Sequence, residues 1–81
     1  MNHAITHIEG VAYWRVASAA KVYSLEESFV LEIYRRGLLG EGRIVQGEVL
    51  LPEEALDRLA WVYRLHIVCG VSIERLEEEV P

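Results

Sequence analysis

The side chains best suited to chemistry in this chain are three histidines and one cysteine. His66 and Cys69 are three residues apart, which puts them on adjacent turns of one helix, whereas His3 and His7 stand near the start of the chain. Imidazole and thiolate are the usual zinc ligands, but a structural zinc site takes about four of them at recognisable spacing. The sequence therefore predicts no metal site and no cofactor, and it treats Cys69 as a small, inert thiol.

Runs of glutamate are the second group of reactive side chains, and they stand at residues 26–27, 53–54 and 77–79. Neighbouring residues of a helix point about 100° apart, so adjacent carboxylates cannot act together on one bond. The first two runs open predicted helices, where negative charge suits the helix dipole. The sequence also has no nucleophile motif and no glycine-rich phosphate loop. We therefore expect no catalytic residues and no enzymatic activity.

The composition favours a protein partner over nucleic acid. The chain has 81 residues and a formal net charge of −5, from 13 acidic and 8 basic residues, whereas nucleic-acid binders carry a basic patch that neutralises phosphates. The length predicts a single domain. A hydrophobic content of 52% predicts spare apolar surface for a partner or a homodimer. A lone cysteine suits a reducing cytoplasm, and no apolar run reaches the roughly 18 residues of a membrane span.

The first half of the chain is predicted as an arm and a helix-turn-helix. Residues 1–13 alternate weakly, which indicates an ordered arm or an edge strand. Residues 14–39 indicate two helices, because alanines favour a first helix from about residue 14 and the run from Ser24 to Glu27 has the pattern of a capping box for a second that ends at Gly37. The apolar face of the second helix holds Leu25, Phe29, Val30 and Ile33, and its outer face holds Glu27, Ser28, Leu31, Glu32 and Arg35.

Residues 40–51 are predicted as a hairpin wing. Two short strands, at 43–45 and 48–50, flank Gln46 and Gly47, and glycine supplies the positive φ that a tight hairpin turn requires.

Residues 52–79 are predicted as two helices. Pro52 suits the first position of the longer helix, which should stop near Gly70. Ser72 can cap a last, short helix over residues 73–79.

The longer helix carries two apolar stripes at helical spacing. One is predicted to join the second helix in the core, whose packed centre comprises Phe29, Ile33, Leu56, Leu59 and Tyr63, with Ala60 and Ile67 on the same stripe. The other, formed by Trp61, Leu65 and Val68, lies among Glu54 and Arg58. The last helix of the same chain could cover this second stripe, or it could be a dimer or partner surface anchored by Trp61, because tryptophan is enriched at binding hot spots.

Several residues carry a family resemblance. They occupy the places where MerR-type sequences have a helix ending in glycine and two leucines, a wing strand and an acidic start to the next helix: Gly37-Leu38-Leu39, Gly47, Leu50, Glu53-Glu54 and Leu56. Over about residues 14–76 the chain therefore resembles a MerR-type winged helix-turn-helix. The resemblance implies a mostly α fold with a small β-hairpin wing.

Departures from the MerR pattern narrow the resemblance. Glu48 and Val49 stand where the family has the tyrosine and arginine that contact phosphate, and Val22-Tyr23 replaces the usual glycine before the capping serine. The long dimerisation helix is missing. In these respects the chain is similar to the CbpM-type chaperone modulators, small acidic MerR-like proteins that bind and restrain the J-domain of a DnaJ-type co-chaperone. A small factor that assembles DnaK with DnaJ is a related alternative.

Two functions follow as expectations. The first is a non-enzymatic, protein-binding modulator of a DnaJ/Hsp40-type co-chaperone, or an interaction module with an unrelated partner. The second is a small MerR-like or excisionase-like DNA-binding regulator, with Arg35, Arg36 and Arg43 as its few phosphate contacts; the charge balance makes DNA the less favoured partner. The expected partner-binding residues are Glu27, Leu31, Arg35, Glu54, Arg58, Trp61, Leu65 and Val68.

Overall fold

Two β-hairpins and a series of short helices make up the chain in the computed structural model, which describes residues 5–79. The first hairpin runs directly into a pair of helices, and the second runs directly into the longest helix. In chain order the elements are β1 (Ile5–Ile8), β2 (Val11–Arg15), α1 (Val16–Val22), α2 (Glu27–Arg35), β3 (Arg43–Val45), β4 (Glu48–Pro52), α3 (Glu53–Val62), a π-helical segment (Tyr63–Val68) and α4 (Ile73–Glu78).

The four strands form one antiparallel sheet in the order β1-β2-β4-β3. The central pairing is between the hairpins: Trp14 of β2 lies opposite Leu51 of β4 and also opposite Ile5 of β1. An ion pair of 3.5 Å between Arg43 Nη1 and Glu9 Oε2 ties the outer strand β3 to the turn of the first hairpin. The sheet is curved into a half-barrel.

The expected fold class, a mostly α winged helix-turn-helix of MerR type with a small hairpin wing, is wrong. The protein is an α+β domain in which a second hairpin, β1–β2, extends the wing into a four-stranded sheet. The physical reason lies in Val11–Arg15, where branched and aromatic side chains favour a strand. The first helix consequently begins at Val16 instead of near residue 14. Residues 1–4 of the expected N-terminal arm, including His3, lie outside the described residues.

The core lies between the sheet and the helices. Ile33 of α2, Leu51 of β4 and Leu59 of α3 are completely buried. Further fully or almost fully buried side chains come from every helix: Ala19, Ala20, Val30, Ala55, Val62 and Leu76.

The predicted core centre is right for Ile33 and Leu59 only. Phe29, Leu56 and Tyr63 are half-buried and pack against the core from its edge. Two features of the later helix account for the positions of Leu56 and Tyr63. α3 turns Ala55, Leu59 and Val62 inward, a stripe rotated from the predicted one. The helix then changes to π-type hydrogen bonding, in which Cys69 N–H donates to the Arg64 carbonyl at 3.0 Å, so the spacing of an α-helix no longer holds.

Helix ends show which local signals were decisive. Gly37 has a φ of 81°, and Leu38 N–H donates to the Ile33 carbonyl at 3.1 Å, which confirms glycine as the end of α2. Ser72 Oγ accepts from Arg75 N–H at 3.2 Å, which confirms the cap of α4.

Two predicted helix starts are wrong. Ser24 does not cap α2: it adopts a φ of 55°, and Glu26 occupies the N-cap position without a side-chain cap bond. Pro52 is not the first residue of α3 but the last of β4, with a ψ of 171°. In both places the chain enters the helix directly from a packed turn or strand, which orients the first turn in place of a side-chain cap.

Two candidate protein-binding surfaces

The first candidate surface follows the exposed side of α3 and will be called the α3 face. It comprises two adjoining hollows of about 260 and 280 Å³ that share Asp57. The lining residues are Glu53, Glu54, Asp57, Arg58 and Trp61 of α3, together with Val11, Ala12, Pro52 and Glu79.

Helical spacing explains why α3 presents these side chains together. Glu54, Arg58 and Trp61 follow one another at intervals of four and three residues, so they lie on one side of the helix. Leu59 and Val62 point elsewhere, into the core, and hold the helix in this orientation. The α3 face is thus the outward side of the element that is most firmly anchored.

The α3 face is acidic. Glu53, Glu54 and Asp57 form no ion pair within residues 5–79, and Glu79 has only an exposed contact of 3.6 Å with Arg75. The one cation of the face, Arg58, lies over Gly40, where its guanidinium Nε would be 3.5 Å from an added Cβ.

The floor of the α3 face is apolar. Trp61 is half-buried and packs against the core while it also lines one hollow. Val11, which is 46% exposed, lines the other hollow beside Ala12 and Pro52. Carboxylates around an indole and a small apolar floor suit a cationic chain segment that carries apolar side chains.

The second candidate surface, the α2–β4 groove, lies between α2 and the second hairpin and has a volume of about 250 Å³. Its apolar floor comes from Leu31 of α2, Val49 of β4 and the start of α1, and its rim carries Glu27, Arg35 and Glu48. The complete lining is Val16, Ala17, Glu27, Leu31, Arg35, Gly47, Glu48 and Val49. Because the rim holds both signs of charge, this groove differs in kind from the α3 face.

Arg36 is bound within the protein. Its side chain donates to Glu32 at 3.0 Å and to Glu77 at 2.5 Å, and Glu74 lies 3.9 Å away. The hydrogen bond to Glu77, followed by that to Glu32, raises the pKa of Arg36 above its ordinary value. Arg36 therefore ties α2 to α4.

The three arginines expected to meet phosphate are differently placed. Arg36 is held as described, and Arg43 pairs with Glu9 at 3.5 Å. Arg35 has no ion pair among the residues that the structure describes. A phosphate backbone would have to compete with carboxylates for two of the three.

The soft ligands are not gathered together. His66 Nδ1 lies 2.7 Å from the Val71 carbonyl, to which its N–H can donate, and its ring stacks on Phe29 with the centroids 5.6 Å apart. Cys69 is exposed. Across residues 5–79, no group of three or more His, Cys, Asp or Glu side chains is placed to hold a metal ion. The histidine has a packing role at the end of the π-helical segment.

The expected partner-binding residues fall into three places. Glu54, Arg58 and Trp61 meet on the α3 face, whereas Glu27, Leu31 and Arg35 meet in the α2–β4 groove. Leu65 packs against the core, and Val68 is 65% exposed at the end of the π-helical segment. The single stripe expected for Trp61, Leu65 and Val68 is therefore broken up.

Sequence reasoning missed several residues of these surfaces. Asp57 could have been found, because it stands four residues before Trp61 and so shares its side of the helix. Val11 and Glu79 could not have been found in this way. They are near opposite ends of the chain, and only the folded structure places both of them on the α3 face.

Comparison of the chain with protein-family models, with curated proteins and with solved structures finds no significant match. In the part of the chain from residue 5 to residue 79, no helix has both the length and the apolar character needed to cross a bilayer.

Proposed function

We propose that this protein is a non-enzymatic binding module that docks a basic segment of another protein on its α3 face. The observation that carries the proposal is the composition of that face. Asp57 and Glu79 line the hollow that contains Trp61, with Arg58 as its one cation. Glu53, Glu54 and Asp57 line the adjoining hollow, which has an apolar floor. A matching ligand is a lysine- or arginine-rich helix or loop with one or two apolar side chains.

Each part of the α3 face has a separate physical task. Trp61 offers a large, rigid side chain that its core contacts already hold in position, so little conformational entropy is lost on binding. The carboxylates lie at the rim, where charges chiefly accelerate encounter with an oppositely charged partner and exclude acidic ones. Affinity should therefore depend on Trp61, and association rate on the carboxylates.

As the partner we propose the J-domain of a DnaJ/Hsp40-type co-chaperone, which this protein would restrain. Two observations support this choice. The chain is similar to CbpM-type modulators in its small size, its acidic balance and the presence of Glu48-Val49 where MerR-type sequences have the residues that contact phosphate. A J-domain presents a basic helix to DnaK, which an acidic face would cover. A cytoplasmic location belongs to the same proposal and suits the single exposed thiol of Cys69.

Duplex DNA is the less favoured partner. A DNA-binding surface needs several cations free to replace counterions, whereas Arg36 and Arg43 are paired with carboxylates. Glu27 also lines the same groove as Arg35, so a phosphate bound to Arg35 there would lie in a groove that also carries a carboxylate. A mobility-shift assay over a salt titration tests this alternative. Submicromolar, steeply salt-dependent affinity for duplex DNA would contradict the protein-binding proposal.

The direct experiment flows a purified bacterial J-domain over the immobilised protein and follows binding by surface plasmon resonance, which resolves the association and dissociation rates. The test variant Glu54→Lys/Asp57→Lys reverses two rim charges, and the control Glu78→Lys/Glu26→Lys makes the same change of charge at exposed positions outside both hollows. We expect the test variant to lower the association rate at least about tenfold and the control to change it little. Equal effects of the two variants would show that net charge, and not the α3 face, attracts the J-domain.

A further inference from the structure

The α2–β4 groove presents two exposed charges that the chain leaves unpaired within residues 5–79. Neither Glu27 nor Arg35 makes an ion pair or a side-chain hydrogen bond there. The adjacent Arg36, by contrast, has three carboxylates within 3.9 Å. Both free charges line the same groove, on either side of Leu31.

The spacing of these residues is symmetrical. Glu27, Leu31 and Arg35 follow at intervals of four along α2, so they form one stripe on its surface. At a rise of about 1.5 Å per residue, the two charges stand roughly 12 Å apart with Leu31 midway. If a second α2 lies antiparallel to the first about Leu31, its positively charged end therefore lies opposite the negatively charged end of the first.

We propose that the occupant of the α2–β4 groove is a second copy of this chain, with the two α2 helices antiparallel across a two-fold axis that passes near Leu31. In a two-fold interface, if residue i contacts residue j then j also contacts i. Glu27 of one copy then faces Arg35 of the other, and the reverse pair forms at the far end of the groove. Two ion pairs thus flank a central contact between the two Leu31 side chains.

The rest of the groove suits this arrangement. Val16, Ala17 and Val49 extend the apolar floor around Leu31, so the interface has an apolar centre and a charged rim, as protein interfaces usually do. Glu48 adds no unbalanced charge, because Arg15 Nε lies 3.2 Å from its carboxylate.

Other occupants fit the groove less well because of the sign of its charges. A basic segment would be repelled by Arg35, and an acidic segment or a phosphate backbone would be repelled by Glu27. An uncharged partner would bury both charges without compensation. A second copy supplies both signs at the required spacing.

The test measures molar mass by sedimentation equilibrium for four forms of the chain: wild type, Glu27→Arg, Arg35→Glu and the charge-swapped double variant. Each single variant places like charges opposite each other twice, so we expect its dimer to be weakened at least about tenfold. The double variant restores both pairs with their signs exchanged and should dimerise as the wild type does. Glu78→Arg and Arg64→Glu are matched controls at exposed positions outside the groove.

A mixing experiment gives the sharpest result. In an equimolar mixture, Glu27→Arg and Arg35→Glu chains present two opposite-charge pairs to each other and none to themselves, so they should form a heterodimer although each alone is monomeric. Circular dichroism verifies folding. If a single variant does not fold, the dimerisation of the double variant tests the proposal by itself, because the double variant retains the amino-acid composition of the wild type.

Three results would overturn the proposal: a wild type that stays monomeric at about 1 mM, a folded double variant that fails to dimerise, or single variants that dimerise as well as the wild type. None of these substitutions touches the α3 face. J-domain binding should therefore persist in all of them, and its absence from the wild type would count against the proposed function alone.

Discussion

Each of the two hollows of the α3 face, at about 260 and 280 Å³, is similar in volume to the α2–β4 groove, at about 250 Å³. Both have an apolar floor with charged side chains around it. They differ in the pattern of charge: the α3 face is almost uniformly negative, whereas the groove has one charge of each sign on either side of Leu31. We therefore propose that the arrangement of charge distinguishes the partners of the two surfaces, because a single-sign surface needs a different molecule and a self-complementary one can take its own copy.

The two surfaces also differ in how they are built. The groove is built from the start of α1, from α2 and from the second hairpin, which follow one another within residues 16–49. The α3 face draws on Val11 of the first hairpin and on Glu79 beyond α4, so it exists only when the whole domain is folded. Variants can therefore be chosen that damage both surfaces or one alone.

The largest effect should come from Leu59→Ala, which removes a side chain with no exposed surface from the core of the domain. Truncation of a buried leucine costs about 2–5 kcal/mol of the free energy of unfolding, a large share of the stability of so small a domain. Urea denaturation measures the loss, and both binding activities should fall with it. Phe29→Ala, at a half-buried position, is the comparison and should cost less. A larger loss at Phe29 would contradict the observed orientation of the helices.

Trp61→Ala should separate the two surfaces. Loss of this anchor should weaken J-domain binding by about 2 kcal/mol, or roughly 30-fold, while the dimer keeps its mass, because Trp61 does not line the groove. Calorimetry and sedimentation on the same sample make the measurement, and Trp61→Phe, which retains an aromatic ring, should lose less. A folded Trp61→Ala chain that loses its dimer as well would show that the two surfaces are one interface.

Ser72→Ala should loosen α4 without disturbing the groove. The Ser72 side chain accepts from Arg75 N–H at 3.2 Å, and loss of such a cap costs about 1 kcal/mol. Amide exchange should accelerate in Ile73–Glu78 more than in α2, and J-domain binding should weaken because Glu79 is less well held. Ser72→Asp retains a capping oxygen and should restore protection. Uniform acceleration of exchange over the domain would contradict a local role for this cap.

Gln46→Asn should give the smallest effect. Gln46 lies in the turn of the second hairpin beside Gly47, which lines the α2–β4 groove. Gln46 has a φ of 51° beside Gly47 at 77°, the backbone of a turn that prefers asparagine followed by glycine. We expect a gain of less than about 0.5 kcal/mol, the usual range for a surface change, detectable as a small rise in Tm. The comparison variant Gln46→Val should have the opposite effect and lower Tm, because a β-branched residue tolerates positive φ poorly. A rise in Tm for Gln46→Val would contradict the turn geometry.

Elements with signals inside a few residues were predictable. Gln46-Gly47 marked the second hairpin, Gly37 marked the end of α2, and Ser72 marked the start of α4, and all three lie where expected. Each depends on the conformational freedom of one residue or on one hydrogen bond to a near neighbour, so the surrounding fold had little influence on it.

Elements that depend on distant contacts were not predictable in the same way. The strand at Val11–Arg15 pairs with β4, and no residue near it in the sequence indicates which strand it will pair with. The π-helical segment at Tyr63–Val68 also contacts residues that are distant in the sequence. The rings of Tyr63 and Tyr23 stack with their centroids 4.9 Å apart, and His66 stacks on Phe29.

The sequence by itself determined the acidic balance of this protein, the turn at Gln46-Gly47, the end of α2 at Gly37, the cap at Ser72 and the charge stripe of α2. Each is a property of composition or of residues within about two helical turns. Tertiary structure alone decided that the sheet has four strands and that the expected partner-binding residues divide between the α3 face and the α2–β4 groove. The physical reason is that strand pairing and burial join residues far apart in the chain, such as Arg15 with Leu50 and Arg36 with Glu77. The free energy of such contacts depends on the positions that the whole fold gives to both partners.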